Sequence, residues 1–341
     1  MGANTIPKKL LDANSSFGSV DDGNALTFSG IQTYSAANAH TGAETHTGAE
    51  THTGAETHTG AETHSGAEVF TTQPTIVTEG TAANRGPSPL IWDDCNVLDL
   101  MVNPTNGFVY FNDFIDGGYT LANAQTVTHL NNGVCGFTGA TAGSTINTEA
   151  DEPTGALTLS STTDNQGAGI NILGGVNDAA QVIFNTATTE KVWFEARIKS
   201  LNITDAKFGF FCGFAEEGLA VEGTLLTTSD ALPDKDYLGF VKVTADGDKL
   251  DTVCRTAGGS AVVIKADAVT LVADTYIKIG LYFDGTTVTF YANGVALADT
   301  IAKTATDFPD GQEMAFYFVA MNANGDDAES TIDWVRIARE F

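Results

Sequence analysis

Positive charge is what this chain has least of. Its 341 residues carry 16 lysines and arginines against 43 aspartates and glutamates, a formal net charge of −27. That balance excludes nucleic-acid backbones and anionic membranes as partners. Before Arg85 the only cations are Lys8 and Lys9. Cysteine is also sparse: Cys95, Cys135, Cys212 and Cys254 lie far apart, with no CxxC and no Cys/His spacing that points to zinc. Free, mostly buried thiols are expected. No run approaches the ~20 apolar residues that span a bilayer. The opening MGANTIPKKLLDANSSFG lacks an apolar signal core and a small-residue cleavage site, so synthesis in the cytoplasm is expected. Ile6 stands where a myristoylation pattern needs Ser or Thr.

Histidine is nearly confined to one stretch, which holds five of the six. Between Phe28 and Phe70 every sixth residue is a ring: Phe28, Tyr34, His40, His46, His52, His58, His64 and Phe70. A glycine follows most of them at two positions, and TGAETH recurs almost unchanged. Six matches neither the α-helical period nor the heptad. Six is even, so in an extended chain all rings share one face with Gly and Glu, while Thr and Ala share the other. One copy has no apolar face to make a core, and a lone extended strand leaves its edges unpaired. Two readings follow: a solvated low-complexity linker, or a shaft of several copies, most simply three, with the rings on a shared axis. Phe28, Tyr34 and Phe70 keep the register outside the perfect copies, which favours the shaft. Residues 1–27 form a polar arm with one apolar, basic handle, Ile6, Lys8, Lys9, Leu10 and Leu11, read as a docking peptide or as an ordinary solvated terminus. Residues 71–106 read as a junction, punctuated by Pro74, Gly80, Gly86, Pro87 and Pro89.

From Leu90 the texture changes. PLIWDDCNVLDLMV and GFVYFNDFIDGG are apolar without a helical stripe. VWFEARIKS puts Val192, Phe194, Ala196 and Ile198 on one face and Glu195, Arg197 and Lys199 on the other. Phe208, Phe210, Cys212 and Phe214 align, as do Ile277, Ile279, Leu281 and Phe283. Asp284-Gly285 and Asn293-Gly294 bracket TTVTFYA, with Val288 and Phe290 inward; these are hairpin signals. Regular strands with few helices predict an antiparallel β-sandwich over 107–341, making the chain all-β.

FVYFNDFIDG, YIKIGLYFDGTTVTFYANGVAL and the closing TIDWVRIARE, with Asp333-Trp334, resemble the concanavalin A-like (laminin-G-like) jelly roll over roughly Phe108 to Phe341. Short Gly-rich repeats ahead of a β-domain resemble bacteriophage virion proteins. The two resemblances imply a non-enzymatic structural protein on the virion surface, a capsid decoration or head fibre. It would be anchored on the major capsid protein by its N-terminus and hold a lectin-like domain outward. The alternative is a tail-fibre adhesin that recognises host glycan.

The chemistry read from residues is thin. Glycoside hydrolases of that superfamily share an E-x-D-x-x-E strand; Glu149-Ala150-Asp151-Glu152-Pro153 has the wrong spacing and a proline, and Glu216-Glu217 reads as a loop. No nucleophile elbow, phosphate loop or HExxH is present, so no catalytic residue and no required cofactor are expected. Asp246, Asp248 and Asp251, and Asn322, Asn324, Asp326 and Asp327, could ligate calcium, though these are also ordinary turn residues. The histidine ladder could hold a metal or an anion on an axis, or simply stack with Glu44, Glu50, Glu56, Glu62 and Glu68 nearby. Trp92, Trp193 and Tyr119 are candidate sugar platforms.

Overall fold

The computed structural model describes eight short strands between residues 26 and 70. From residue 86 onward it describes all but 116–118, 123–127, 139–142, 150–154, 174–181, 185–188, 202, 204–207, 218–231, 244–246, 261, 310 and 323–327. The chain divides into two compact units, Met1–Thr75 and Ile76–Phe341.

In the first unit each hexad contributes one three-residue strand. These are β1 (Leu26–Phe28), β2 (Gln32–Tyr34), β3 (Asn38–His40), β4 (Glu44–His46), β5 (Glu50–His52), β6 (Glu56–His58), β7 (Glu62–His64) and β8 (Glu68–Phe70). They pair in parallel with partners eighteen residues away: β1 with β4 with β7, β2 with β5 with β8, and β3 with β6. Successive hexads thus enter three sheets in rotation, the arrangement of a parallel β-helix. Three hexads bring the chain back beside itself, so these strand edges are paired within one chain and do not need a sibling copy to be met. Leu26 to Phe70 makes about two and a half coils, a rise of roughly 12 Å at about 4.8 Å per strand spacing; fully extended it would reach about 150 Å. Phe28, His46 and His64 are register partners, as are Tyr34, His52 and Phe70, and His40 with His58. The ring side chains and their proposed axis lie outside the described residues, as do the docking arm Ile6, Lys8, Lys9, Leu10 and Leu11 and positions 71–85.

The second unit is a sandwich of two antiparallel sheets. The first sheet runs β10 (Leu121–Ala122), β13 (Ser144–Thr148), β14 (Leu157–Ser161), β26 (Ala328–Glu340), β17 (Val192–Ser200), β22 (Ile277–Phe283), β23 (Thr287–Ala292), β24 (Val295–Ala302), with β9 (Gly107–Asn112) also on β26. The second runs β11 (Thr128–His129), β12 (Val134–Thr138), β15 (Gln166–Ile172), β25 (Glu313–Asn322), β18 (Phe208–Ala215), β19 (Tyr237–Lys242), β20 (Lys249–Arg255), β21 (Val262–Thr270), with β16 (Val182–Ile183) also on β25. The alternation read from sequence is what fills the core. Val192, Phe194, Ala196 and Ile198, with Ile277, Ile279, Leu281 and Phe283, meet Phe210, Cys212 and Phe214 from the other sheet. Phe194 lies 5.5 Å from Phe214 and 5.2 Å from Phe316, and Phe240 lies 5.5 Å from Phe290, so rings from the two sheets interlock. Asp284-Gly285 and Asn293-Gly294 make the two hairpins that join β22, β23 and β24.

The apolar run after residue 88 forms helices rather than a strand. They are α1 (Pro89–Trp92), with proline in its first turn, and α2 (Val97–Val102), where the Asn96 side chain accepts from the Asp99 N–H at 2.9 Å. Residues 86–106 lie as a strap across the outer face of the first sheet. Ile91 and Leu100 pack with Trp193, Tyr291 and Ala338. Gly280 makes room for this: a Cβ there would stand 2.8 Å from Ile91 Cδ1 and 2.5 Å from the Phe194 carbonyl oxygen.

Glu195 pins the strap. One carboxylate oxygen accepts from Ser88 N–H and from the Trp92 indole N–H, each at 2.9 Å, while Lys278 donates to the Gly86 carbonyl at 3.1 Å. Burial raises the Glu195 pKa against the opposing pull of Ser88, Trp92 and Lys278; Arg336 stands opposite it on β26. A raised folded pKa means the folded state binds the proton more tightly, so this contribution to stability falls as pH rises from about 4.3 through the raised value. Hydrogen exchange at Ser88 is expected to show weaker protection at pH 8 than at pH 5 in the wild type, with the difference flattened in Glu195→Gln. Equal pH dependence in both proteins would refute the pin.

Candidate functional site

The outer face of the first sheet collects side chains that a solvated sheet would not. The register lines up Phe111, Arg336, Glu195 and Gly280 in one row, and Trp334, Arg197 and Lys278 in the next. A β-bulge in β26 makes this possible. Arg197 pairs with Trp334 and Ile198 with Ile332, leaving Asp333 as the extra residue. Its carboxylate meets Arg197 Nη1 at 2.5 Å, with both side chains buried. The Arg197 guanidinium also lies 3.8 Å from the Tyr276 ring centroid. The Arg336 guanidinium sits 4.7 Å from the Phe111 ring and 5.1 Å from the Trp334 ring, with Asp113 loosely paired at 3.9 Å. Lys199 joins the patch beside Tyr276 and Asp274.

The electrostatics follow from burial. Desolvation lowers the pKa of Lys278 and of Arg336, while the Glu195 and Asp113 carboxylates draw Arg336 back. The Trp334 indole N–H and the Nε–H groups of Arg197 and Arg336 are buried donors without a partner among the described residues. The open part of the row is Phe111, 39% exposed, with the Arg336 and Asp113 side chains at 20% and 45%. Such a row can stack a flat or ring-shaped ligand and donate to acceptor-rich groups. Within it Glu195 is covered by the strap and Asp333 is paired with Arg197, so Asp113 is the carboxylate at the open end.

The outer face of the second sheet is different. Phe137, Phe211, Tyr237, Val241, Val253, Tyr317 and Val319 form a buried apolar cluster there. At its edge Glu216 accepts from Asp236 N–H and pairs with Lys235, each at 3.2 Å. The Asp236 carboxyl, held by Thr256 at 3.1 Å, is pushed up by burial and then by Glu216. Asp236 is 1% exposed and meets no open surface.

The remaining sequence candidates fall apart spatially. Tyr119 and Trp193 are wholly buried, so neither is a sugar platform. Tyr119 packs edge-on against Phe114. Trp193 stacks on Tyr282 beneath the chain's own strap and donates to Asp94 at 3.0 Å. Trp92 is spent on Glu195. Asp248 pairs with Lys249, Asp251 accepts from the Asp267 N–H, and Asn322 donates to the Ser161 carbonyl; Asp246, Asn324, Asp326 and Asp327 lie outside the described residues. No group of three or more His, Cys, Asp or Glu that could hold a metal occurs among the described residues. Glu149 accepts from the Thr158 hydroxyl, and Asp151 and Glu152 lie outside the described residues.

The four cysteines are free. Burial pushes the Cys95 and Cys254 thiols up to about 12 and raises Cys135 and Cys212 as well. None is a thiolate at neutral pH. Sequence reasoning missed that Cys135 Sγ lies 3.2 Å from His129 Nδ1. The signal was present in Asn132-Gly133, both at positive φ, which fold one residue back on the other.

No protein-family model matches the chain, and no curated protein matches it by sequence. Among solved structures it is similar to a protein of unknown function from Shewanella oneidensis, at 12% identity over 79% of this chain and 97% of that one, TM-score 0.42. It is similar to a family 16 glycoside hydrolase from Bacteroides ovatus bound to its product, at 16% identity over 67% and 99%, TM-score 0.42. It is also similar to the carbohydrate recognition domain of Emp47p, at 12% identity over 64% and 94%, TM-score 0.40. None of the three lends this chain its ligand or its chemistry.

Proposed function

We propose that this chain is a non-enzymatic display protein whose β-sandwich head binds glycan, carried on a virion surface as a capsid decoration or head fibre. The observation that carries the binding role is the row of Phe111, Arg336, Trp334, Arg197 and Tyr276. It concentrates rings and guanidinia on one sheet face of a chain whose net charge is −27. Arg336, the cation at the open end of this row, suits an acidic saccharide better than a neutral one. The short rise of the hexad coil favours decoration over a long tail fibre. The docking arm of residues 1–27 would meet the major capsid protein, with copies associated as a homo-oligomer, trimeric in the leading form. The same row favours the second reading, a tail adhesin gripping host glycan.

Two measurements test this. Hundreds of copies per purified particle support decoration, a few copies support the adhesin, and absence from particles refutes both settings. Titrated with an oligouronate and with its carboxyl-reduced, neutral counterpart, the full chain is expected to prefer the acidic sugar. Arg336→Ala is expected to weaken it about tenfold or more, the equivalent of losing one charge-assisted hydrogen bond. Binding of neither sugar would remove the glycan role.

A further inference from the structure

The hexad coil sorts the histidines into pairs. Ring positions three hexads apart are register partners, which gives three columns: Phe28, His46 and His64; Tyr34, His52 and Phe70; His40 and His58. Two columns therefore set histidine beside histidine one strand apart, while the third leaves His52 between Tyr34 and Phe70. Register partners on parallel strands share one side of the sheet, about 4.8 Å apart. The position two residues earlier shares that side as well. Beside His46 and His64 it is Glu44 and Glu62, and beside His40 and His58 it is Asn38 and Glu56. No lysine or arginine lies between Lys9 and Arg85, so this stretch has no strong cation of its own to set against its glutamates.

We propose that the first unit binds divalent transition-metal ions, one at each column where histidine partners histidine. Neutral imidazole is a preferred nitrogen donor for zinc, nickel and copper. Two imidazole nitrogens on one tetrahedral zinc, each at about 2.1 Å, stand about 3.4 Å apart. Positions one strand spacing apart suit that separation with no change of backbone. Like charges at partner positions repel, as Glu44 and Glu62 must, and a divalent cation in their column offsets the repulsion. The column of His46 and His64, with two glutamates, therefore takes its ion more tightly than that of His40 and His58, with one. The sugar reading concerns the second unit and stands or falls separately.

Calorimetric titration of the full chain with zinc chloride tests this. The readout is the difference in stoichiometry between variants, so weak binding to carboxylates elsewhere cancels. His46→Ala and His64→Ala are each expected to lose one ion, and the double variant loses that same ion and no more. His52→Ala is expected to lose none. Tyr34→His, which sets histidine beside His52, is expected to gain one, a result that failure to fold cannot produce. A flexible chain that merely carries histidines would lose affinity alike at His46, His52 and His64, and that pattern would overturn the inference. The absence of zinc binding would overturn it too. So would sites that vanish on dilution to a monomer, because the ion would then sit between copies.

Discussion

Asp333→Ala is expected to cost the head about 3–5 kcal/mol, a large share of the 5–15 kcal/mol that a domain has. Asp333 is fully buried and Arg197 nearly so, and they meet at 2.5 Å across the bulge. Removing the carboxylate leaves a nearly buried guanidinium without its counter-charge, with the Tyr276 ring 3.8 Å away. The cost comes from stranding that charge, since the pair itself adds little over apolar packing. The double variant Asp333→Ala with Arg197→Met should therefore recover most of the loss. Urea denaturation of the three proteins decides it. A single variant within about 1 kcal/mol of wild type, or a double variant no better than the single, would show that solvent reaches the pair.

The sandwich was legible because strands write themselves at period two. The inward sets on β17, β18, β22 and β23 follow the pleat, and Asp-Gly and Asn-Gly mark the turns that join β22, β23 and β24. The strap was not legible. Its helices have four and six residues, too short for an apolar stripe to show, and only Pro89 and Asn96 hinted at them. That omission hid the site. Glu195, Arg197 and Lys199 read only as the face away from the core, and they become a partly sealed row because α1 and α2 cover one end and the bulge at Asp333 turns a carboxylate toward Arg197. Bulges and coverings are long-range facts that periodicity does not encode. The hexad shows the opposite limit. The period of six was plain, but the eighteen-residue register depends on how the chain turns between strands. A repeat of ring, Gly and Glu is equally compatible with an extended ribbon and a three-sided coil.

Phe184→Ala is expected to be the most damaging single core change, at about 3–5 kcal/mol, lowering Tm by about 10 °C. Phe184 follows the two-residue strand β16, an element too short to hold itself in place. It is held by its ring, which stands edge-on to Phe214 at 5.7 Å, Phe283 at 5.5 Å and Phe308 at 5.9 Å. Its carbonyl accepts from Gly311 N–H at 2.9 Å. Phe214 belongs to the second sheet and Phe283 to the first, so this one side chain plugs the space between the sheets. Truncation would leave a cavity bounded by three rings that are themselves fixed in strands or by neighbours, and rigid walls collapse poorly around a void. Phe184→Leu keeps most of the volume and is expected to cost less than half as much. Thermal unfolding of the two variants distinguishes a plug from a bystander: equal and small losses in both would mean that the sheets close without it.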